Sequence, residues 1–178
     1  VKLGSEALSA AESDGFTVVV HASDGRVYAF NAFNGLQLWR YDSATPVLSL
    51  RGTAQPVIIG DRVIVSFANG EVVALSLQDG LKAWEVSLAQ PSGRTELERL
   101  IDADGNLGFD SNRLYAVAYQ GDLKAIDLVT GSEVWSQPLS SYTGVQLASD
   151  LVVVSTAQGE VAAFDNFDAK EVGRNRKL

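Results

Sequence analysis

The chain has 178 residues, a formal net charge of −8 and 46% hydrophobic residues. That length can bury about 70% of the unfolded surface, and its acidity argues against the basic stripe that nucleic-acid binding needs and against attraction to anionic lipid. The absence of cysteine excludes disulfides, thiolate zinc sites and cysteine nucleophiles. No run approaches the roughly 18 to 20 apolar residues of a membrane-crossing helix. There is no methionine and no charged-then-apolar leader at the start, so the sequence is expected to be part of a longer translation product.

In chain order, the first apolar run is Phe16-Thr17-Val18-Val19-Val20. Similar runs follow at Val63-Ile64-Val65, Leu114-Tyr115-Ala116-Val117-Ala118 and Leu151-Val152-Val153-Val154. They are short, β-branched and bounded by turn residues, which predicts strands. Near-continuous apolarity predicts that both faces of these strands are covered. Each run leads to an X-Gly pair: Asp24-Gly25, Asn69-Gly70, Gln120-Gly121 and Gln158-Gly159, stepping by 45, 51 and 38 residues. These pairs predict hairpins and form no phosphate-cradling loop. An alanine follows each glycine by four positions, at Ala29, Ala74, Ala125 and Ala163.

A second turn then carries the only three tryptophans. The phrases are Asn34-Gly35-Leu36-Gln37-Leu38-Trp39, Asp79-Gly80-Leu81-Lys82-Ala83-Trp84 and Thr130-Gly131-Ser132-Glu133-Val134-Trp135. The fourth copy has Gly173 where Trp is expected. Polar residues after the first Trp (Arg40, Tyr41, Asp42, Ser43) predict an outer edge strand. A weaker innermost strand precedes each set, as in Gln55-Pro56-Val57-Ile58-Ile59. Only Arg94 to Leu100 looks helical, inside the insertion that lengthens the 51-residue step.

Four short antiparallel strands repeating every 40 to 50 residues or so are the signature of β-propeller blades. The expectation is an all-β partial propeller of four four-stranded blades at 4–45, 46–90, 105–140 and 141–178, with an inter-blade insertion at 91–104. His21, the only histidine, ends a valine strand and reads as structural. No serine has a nucleophile-elbow context for a triad. The tail Arg174-Asn175-Arg176-Lys177 reads as an outer strand with solvated charges.

The phrase Ala125-x-Asp127-x-x-Thr130-Gly131-x-x-x-Trp135 resembles the repeat of quinoprotein-type, eight-bladed propellers, in which the Trp docks on the neighbouring blade. Two connectors are more specific: Val47-Leu48-Ser49-Leu50-Arg51-Gly52, and Gly93 to Asp104 with Arg94-Thr95-Glu96-Leu97-Glu98-Arg99-Leu100-Ile101-Asp102-Ala103. Together with Gly4-Ser5-Glu6-Ala7-Leu8-Ser9, they resemble the outer-membrane protein assembly factor BamB family, propeller lipoproteins of the barrel-assembly machinery. The resemblance implies a non-catalytic periplasmic scaffold, tethered to the outer membrane by a lipidated N-terminal cysteine. It implies binding to the POTRA domains of the barrel-forming subunit BamA, contact with unfolded outer-membrane protein precursors, and no cofactor or metal. By motif, it places the partner-binding residues at Leu48, Leu50, Arg51, Asp102 and Asp104.

The residues themselves leave alternatives. Leu48 and Leu50 alternate and share a face. They are either core of an innermost strand or an exposed apolar pair beside Arg51, a small hot-spot pattern. Asp102 and Asp104 could bind a metal, although the segment lacks the ligand density of a calcium loop. They could instead pair with Arg51 or Arg99, or accept hydrogen bonds from a partner. Two other functions share the repeat: a quinone-dependent dehydrogenase and a ligand-sensing receptor propeller. The first normally brings a calcium-bound quinone and often an adjacent-cysteine disulfide, which this chain cannot form.

Overall fold

A computed structural model describes residues 3, 5–43, 54–89 and 105–175. Among them there is no helix, and the strands form four four-stranded antiparallel sheets. Each sheet is a meander that takes its strands in sequence order. Blade 1 holds β1 (Glu12–Ser13), β2 (Thr17–His21), β3 (Arg26–Asn31) and β4 (Gln37–Asp42). Blade 2 holds β5 (Val57–Ile59), β6 (Arg62–Ser66), β7 (Glu71–Ser76) and β8 (Lys82–Ser87). Blade 3 holds β9 (Gly108–Phe109), β10 (Arg113–Val117), β11 (Asp122–Asp127) and β12 (Glu133–Pro138). Blade 4 holds β13 (Val145–Ala148), β14 (Leu151–Ser155), β15 (Val161–Asp165) and β16 (Glu171–Asn175). The segment Arg94 to Leu100, expected to be helical, lies outside the described residues.

The predicted turns have a common geometry. Between the second and third strands of blades 1, 2 and 4, the amides of Gly25, Gly70 and Gly159 donate to the carbonyls of Ala22, Phe67 and Thr156 at 3.0, 2.9 and 2.9 Å. Those glycines have φ of 77°, 82° and 83°, the left-handed region that costs other residues free energy. Blade 3 differs. Gln120 takes the left-handed conformation at φ 55°, and Gly121 serves close approach instead. A Cβ on Gly121 would lie 2.7 Å from Ala89 Cβ of the preceding blade.

The Trp turns are held by a carboxylate or amide cap. Asp127 Oδ1 accepts from Val129 N, Thr130 N and Thr130 Oγ1 at 3.0, 2.8 and 2.8 Å. Asn31 and Asp165 accept equivalent backbone bonds. The bonds from Thr130 hold the Asp127 carboxyl below its usual range. In all four blades a β-bulge follows the repeated alanine, and Ala29, Ala74 and Ala125 pair with Trp39, Trp84 and Trp135. Ala163 pairs with Gly173, at the position of the missing fourth Trp.

The core lies between successive sheets. Val19, Val27 and Trp39 of blade 1 pack with Val63, Val65, Val73 and Leu75 of blade 2. Ile64, Val72 and Trp84 of blade 2 pack with Leu114, Ala116 and Ile126 of blade 3. Tyr115, Val117 and Leu123 of blade 3 pack with Val152, Val154 and Phe164 of blade 4. The two middle strands of blades 2 and 3, β6 and β7 and β10 and β11, therefore bury both faces, which is why their sequences do not alternate.

Each Trp spans a seam. The indole N–H groups of Trp39, Trp84 and Trp135 donate to the carbonyls of Leu77, Leu128 and Asn166 in the next blade, at 2.8, 3.1 and 3.0 Å. The Trp39 and Trp84 rings sit where the next turn has no side chain. A Cβ on Gly80 would lie 2.7 Å from the Trp39 ring, and one on Gly131 would lie 2.6 Å from Trp84 Cγ.

Candidate docking face

Antiparallel meanders place every inter-blade connector and every β2–β3-type turn at one end of the blades. The β1–β2-type turns and the Trp turns lie at the other end. The first connector leaves blade 1 after β4 and resumes at Ala54. The second leaves after Ala89 and resumes at Gly105. Leu48, Leu50, Arg51, Asp102 and Asp104 fall between these anchor points and lie outside the described residues.

His21, 2% exposed, places Nδ1 3.1 Å from the Ala54 carbonyl and stacks edge-on against Phe67, with ring centroids 5.0 Å apart. Burial holds its pKa below the usual value, against the raising effect of the Ala54 carbonyl. The structural reading of this lone histidine thus has a contact set: it pins the return of the first connector to blades 1 and 2. Gln55 Nε2 adds a bond to Glu12 Oε2 at 3.1 Å.

The second connector is clamped at both ends. Leu88 N donates to the Gly70 carbonyl, and Asp122 N donates to the Leu88 carbonyl, at 2.8 and 2.9 Å. On return, Gly105 and Asn106 meet Gly144 backbone to backbone, with no room for a Cβ on either glycine. Asn106 forms a parallel bridge with Gly144, and Val145 N donates to the Asn106 carbonyl at 2.8 Å. The residue after Asp104 is therefore tied to the third connector. Beside this clamp, the innermost strands line a cleft of about 390 Å³ whose walls include Gln55, Asn106, Phe109 and Gln146.

The third connector, residues 139–144, is fully described. Ser141 is buried and donates from Oγ to the Ser155 carbonyl at 2.7 Å. Tyr142 stacks on Tyr119 with ring centroids 4.3 Å apart and planes 18° from parallel. A hydrogen bond from Tyr142 lowers the Tyr119 pKa. Sequence reading missed this pair. The signal was present: Tyr119 stands in a turn where the other blades have Ser23, Ala68 and Ala157.

Charge on this face is partly self-satisfied. Arg26 bridges Asp24 and Asp42 at 2.8 Å each, and Arg174 bridges Glu160 and Glu171 at 3.0 and 2.9 Å. No group of three or more His, Cys, Asp or Glu side chains capable of holding a metal occurs among the described residues. The face offers loops on a rigid frame, an arrangement that suits recognition.

The family model for outer membrane protein assembly factor BamB matches residues 1–172. The chain belongs to the BamB family. It is 41% identical over 137 residues to the BamB of Pseudomonas aeruginosa, covering 77% of this chain and 36% of that protein. It is 30% identical over 175 residues to the BamB of Shewanella oneidensis, covering 98% of this chain and 44% of that protein. The chain thus spans well under half the length of these curated relatives. The crystal structure of BamB from Moraxella catarrhalis superposes with a TM-score of 0.93 at 29% identity, over all of this chain and 54% of that one. A europium-containing methanol dehydrogenase shares the fold, with a TM-score of 0.74 at 14% identity. At that identity the likeness concerns architecture and not chemistry.

Proposed function

We propose that this chain is part of a non-catalytic scaffold of the outer-membrane β-barrel assembly machinery, acting at the periplasmic face of the outer membrane. Its connector face binds the periplasmic POTRA region of BamA, and through it assists folding and insertion of outer-membrane proteins. Leu48 and Leu50 supply the apolar contact, Arg51 a flanking charge, and Asp102 and Asp104 acceptors for partner amides or basic groups. The single observation that carries this reading is the BamB family match over residues 1–172. Its relatives bear the name outer membrane protein assembly factor. The geometry adds support, because both connectors enter and leave one face of a stiff stack. Membrane attachment is assigned to a lipid on an N-terminal cysteine outside this sequence.

The mechanism needs no chemistry at a bond. A loop anchored at both ends has less conformational freedom to lose, which lowers the ordering cost of association. Apolar side chains at the centre of such a patch carry most of the binding free energy, and the charged rim sets orientation. Binding of the full-length protein to purified POTRA modules, measured by calorimetry, tests the reading. Leu48→Ala with Leu50→Ala is expected to weaken binding by tenfold or more, roughly 1.4 kcal/mol, with an unchanged melting temperature. Absence of binding by the unmodified protein would overturn the proposal, and loss of fold in the double variant would return the leucines to the core.

A further inference from the structure

In blades 1 to 3 the first residue of the second strand faces the Trp turn of the next blade. At two seams that residue is arginine. Arg62 donates from Nη1 to the carbonyls of Leu128 and Val129 at 3.1 and 2.7 Å. Arg113 donates from Nη1 to the Asn166 carbonyl at 2.6 Å, with its guanidinium 5.5 Å from the Phe167 ring centre. Pairing defines the equivalent residue in blade 1: Thr17 stands opposite Asn31 as Arg62 stands opposite Ser76 and Arg113 opposite Asp127. The equivalent acceptors are the carbonyls of Leu77 and Gln78, because Leu77 N bonds Asp61 O as Leu128 N bonds Asn112 O.

Threonine is too short to reach those carbonyls. In place of a guanidinium there is a cavity of about 280 Å³ lined by Thr17, Asp61, Ser76, Leu77 and Gln78. The Leu77 carbonyl accepts the Trp39 indole N–H, as its counterparts Leu128 and Asn166 do while also accepting an arginine. A carbonyl has two lone pairs, so the same acceptor geometry recurs here with one donor fewer. At the rim the Asp61 side chain is 97% exposed, and its 3.9 Å approach to Arg62 Nε is too solvated to hold it. Beside Thr17, Phe16 is 68% exposed and meets Phe33, 77% exposed, edge-on at 6.0 Å.

We propose that this notch is a socket for an arginine side chain presented by a partner protein, with the Phe16–Phe33 pair receiving an apolar neighbour of that arginine. Arginine is preferred over lysine because a planar fork can reach two adjacent carbonyls, whereas an ammonium is a strongly hydrated point charge. The acidic chain favours the cation. The socket lies at the Trp-turn end of the blades, opposite the connector face, so it does not depend on the docking proposed above.

Backbone-amide NMR of the full-length protein, titrated with N-acetyl-arginine methylamide, tests the socket. Saturable shifts are expected at Thr17, Ser76, Leu77, Gln78 and Asp79, with a response to the lysine counterpart at least about fivefold weaker. Thr17→Arg should carry its own guanidinium into the notch, abolish the response and raise the melting temperature by about 1 °C or more. Asp61→Asn, at a fully solvated side chain, should keep the fold and weaken the response. No saturable shift at these amides overturns the proposal. So does an equal lysine response, or a response that persists in Thr17→Arg. Should Thr17→Arg fail to fold, an undiminished response in Asp61→Asn overturns it equally.

Discussion

The second and third seams of this propeller share an indole hydrogen bond and an arginine clasp but differ in the residue at the seat of the indole. Trp84 lies over Gly131 and is 8% exposed. Trp135 keeps the same indole hydrogen bond to the next blade, at 3.0 Å, yet is only half-buried. By its position in the turn the equivalent of Gly80 and Gly131 here is Ala169, which makes the same backbone hydrogen bond and keeps their left-handed φ, at 62°. Ala169 is 3% exposed, so its methyl is buried. The hydrogen bond sets where the ring sits along the blade, and the residue beneath it sets how closely the ring packs. For Trp39 and Trp84 the glycine that matters is therefore not the one four residues before the ring but the one in the following repeat.

The largest expected effect comes from emptying the tight seam. Trp84→Ala should cost about 3–5 kcal/mol by the cavity left behind. Trp135→Ala should cost at least about 1 kcal/mol less, because less buried surface is lost. Urea unfolding of both variants decides it, and equal losses would remove the distinction between the seams.

Exchanging the seats is the next test. Gly131→Ala adds a Cβ at positive φ and within 3 Å of an indole, and should destabilise by about 2–3 kcal/mol. Ala169→Gly relieves left-handed strain and lets Trp135 settle, so it should be neutral or stabilising by up to about 1 kcal/mol. A blue shift of Trp135 emission in Ala169→Gly would report closure. Marked destabilisation of that variant would mean that the methyl fills space the indole cannot reach.

The first seam should add a pH dependence that the others lack. His21 is held below its usual pKa by burial, so near pH 6 the unfolded chain binds a proton that the folded chain refuses. Its contribution is complete above the unfolded pKa of about 6.5. It is lost as pH falls from there towards the folded pKa, by at most about 1.4 kcal/mol per pH unit. His21→Asn should flatten that part of the stability profile. A wild-type profile already flat between about pH 5 and 7 would show that the imidazole titrates normally.

The smallest effect is expected at the solvated bridges. Arg26→Ala removes contacts to Asp24 and Asp42 whose side chains are exposed or partly so, and should change stability by no more than about 1 kcal/mol. A larger loss would indicate that this trio braces the turn on the docking face.

Blade architecture was legible because it is local. Strand runs such as Val63-Ile64-Val65 follow from β-branching and their bounding turns, and the Gly25 and Gly70 turns from the conformational freedom of one residue. The place of Gly173 opposite Ala163 was legible too, since pairing preserves the offset seen in the other three blades. The Arg62 and Arg113 clasps were not. They bond to backbone carbonyls 66 and 53 positions away, and a carbonyl leaves no mark in a sequence. The Tyr119–Tyr142 stack was missed for a related reason: it joins a turn to a connector that periodicity does not describe. Leu48, Leu50, Arg51, Asp102 and Asp104 were identified by resemblance, and their test lies in binding.

Composition and repeat spacing alone determined an all-β, cysteine-free stack of four-stranded units, because turn residues and strand periodicity act within about ten residues. Only the tertiary structure decided which glycine seats which indole, which seam holds a guanidinium, and which is left with a notch beside Thr17. Those outcomes depend on surfaces brought together by blade stacking across some 30 to 70 residues of chain, and no local preference encodes them.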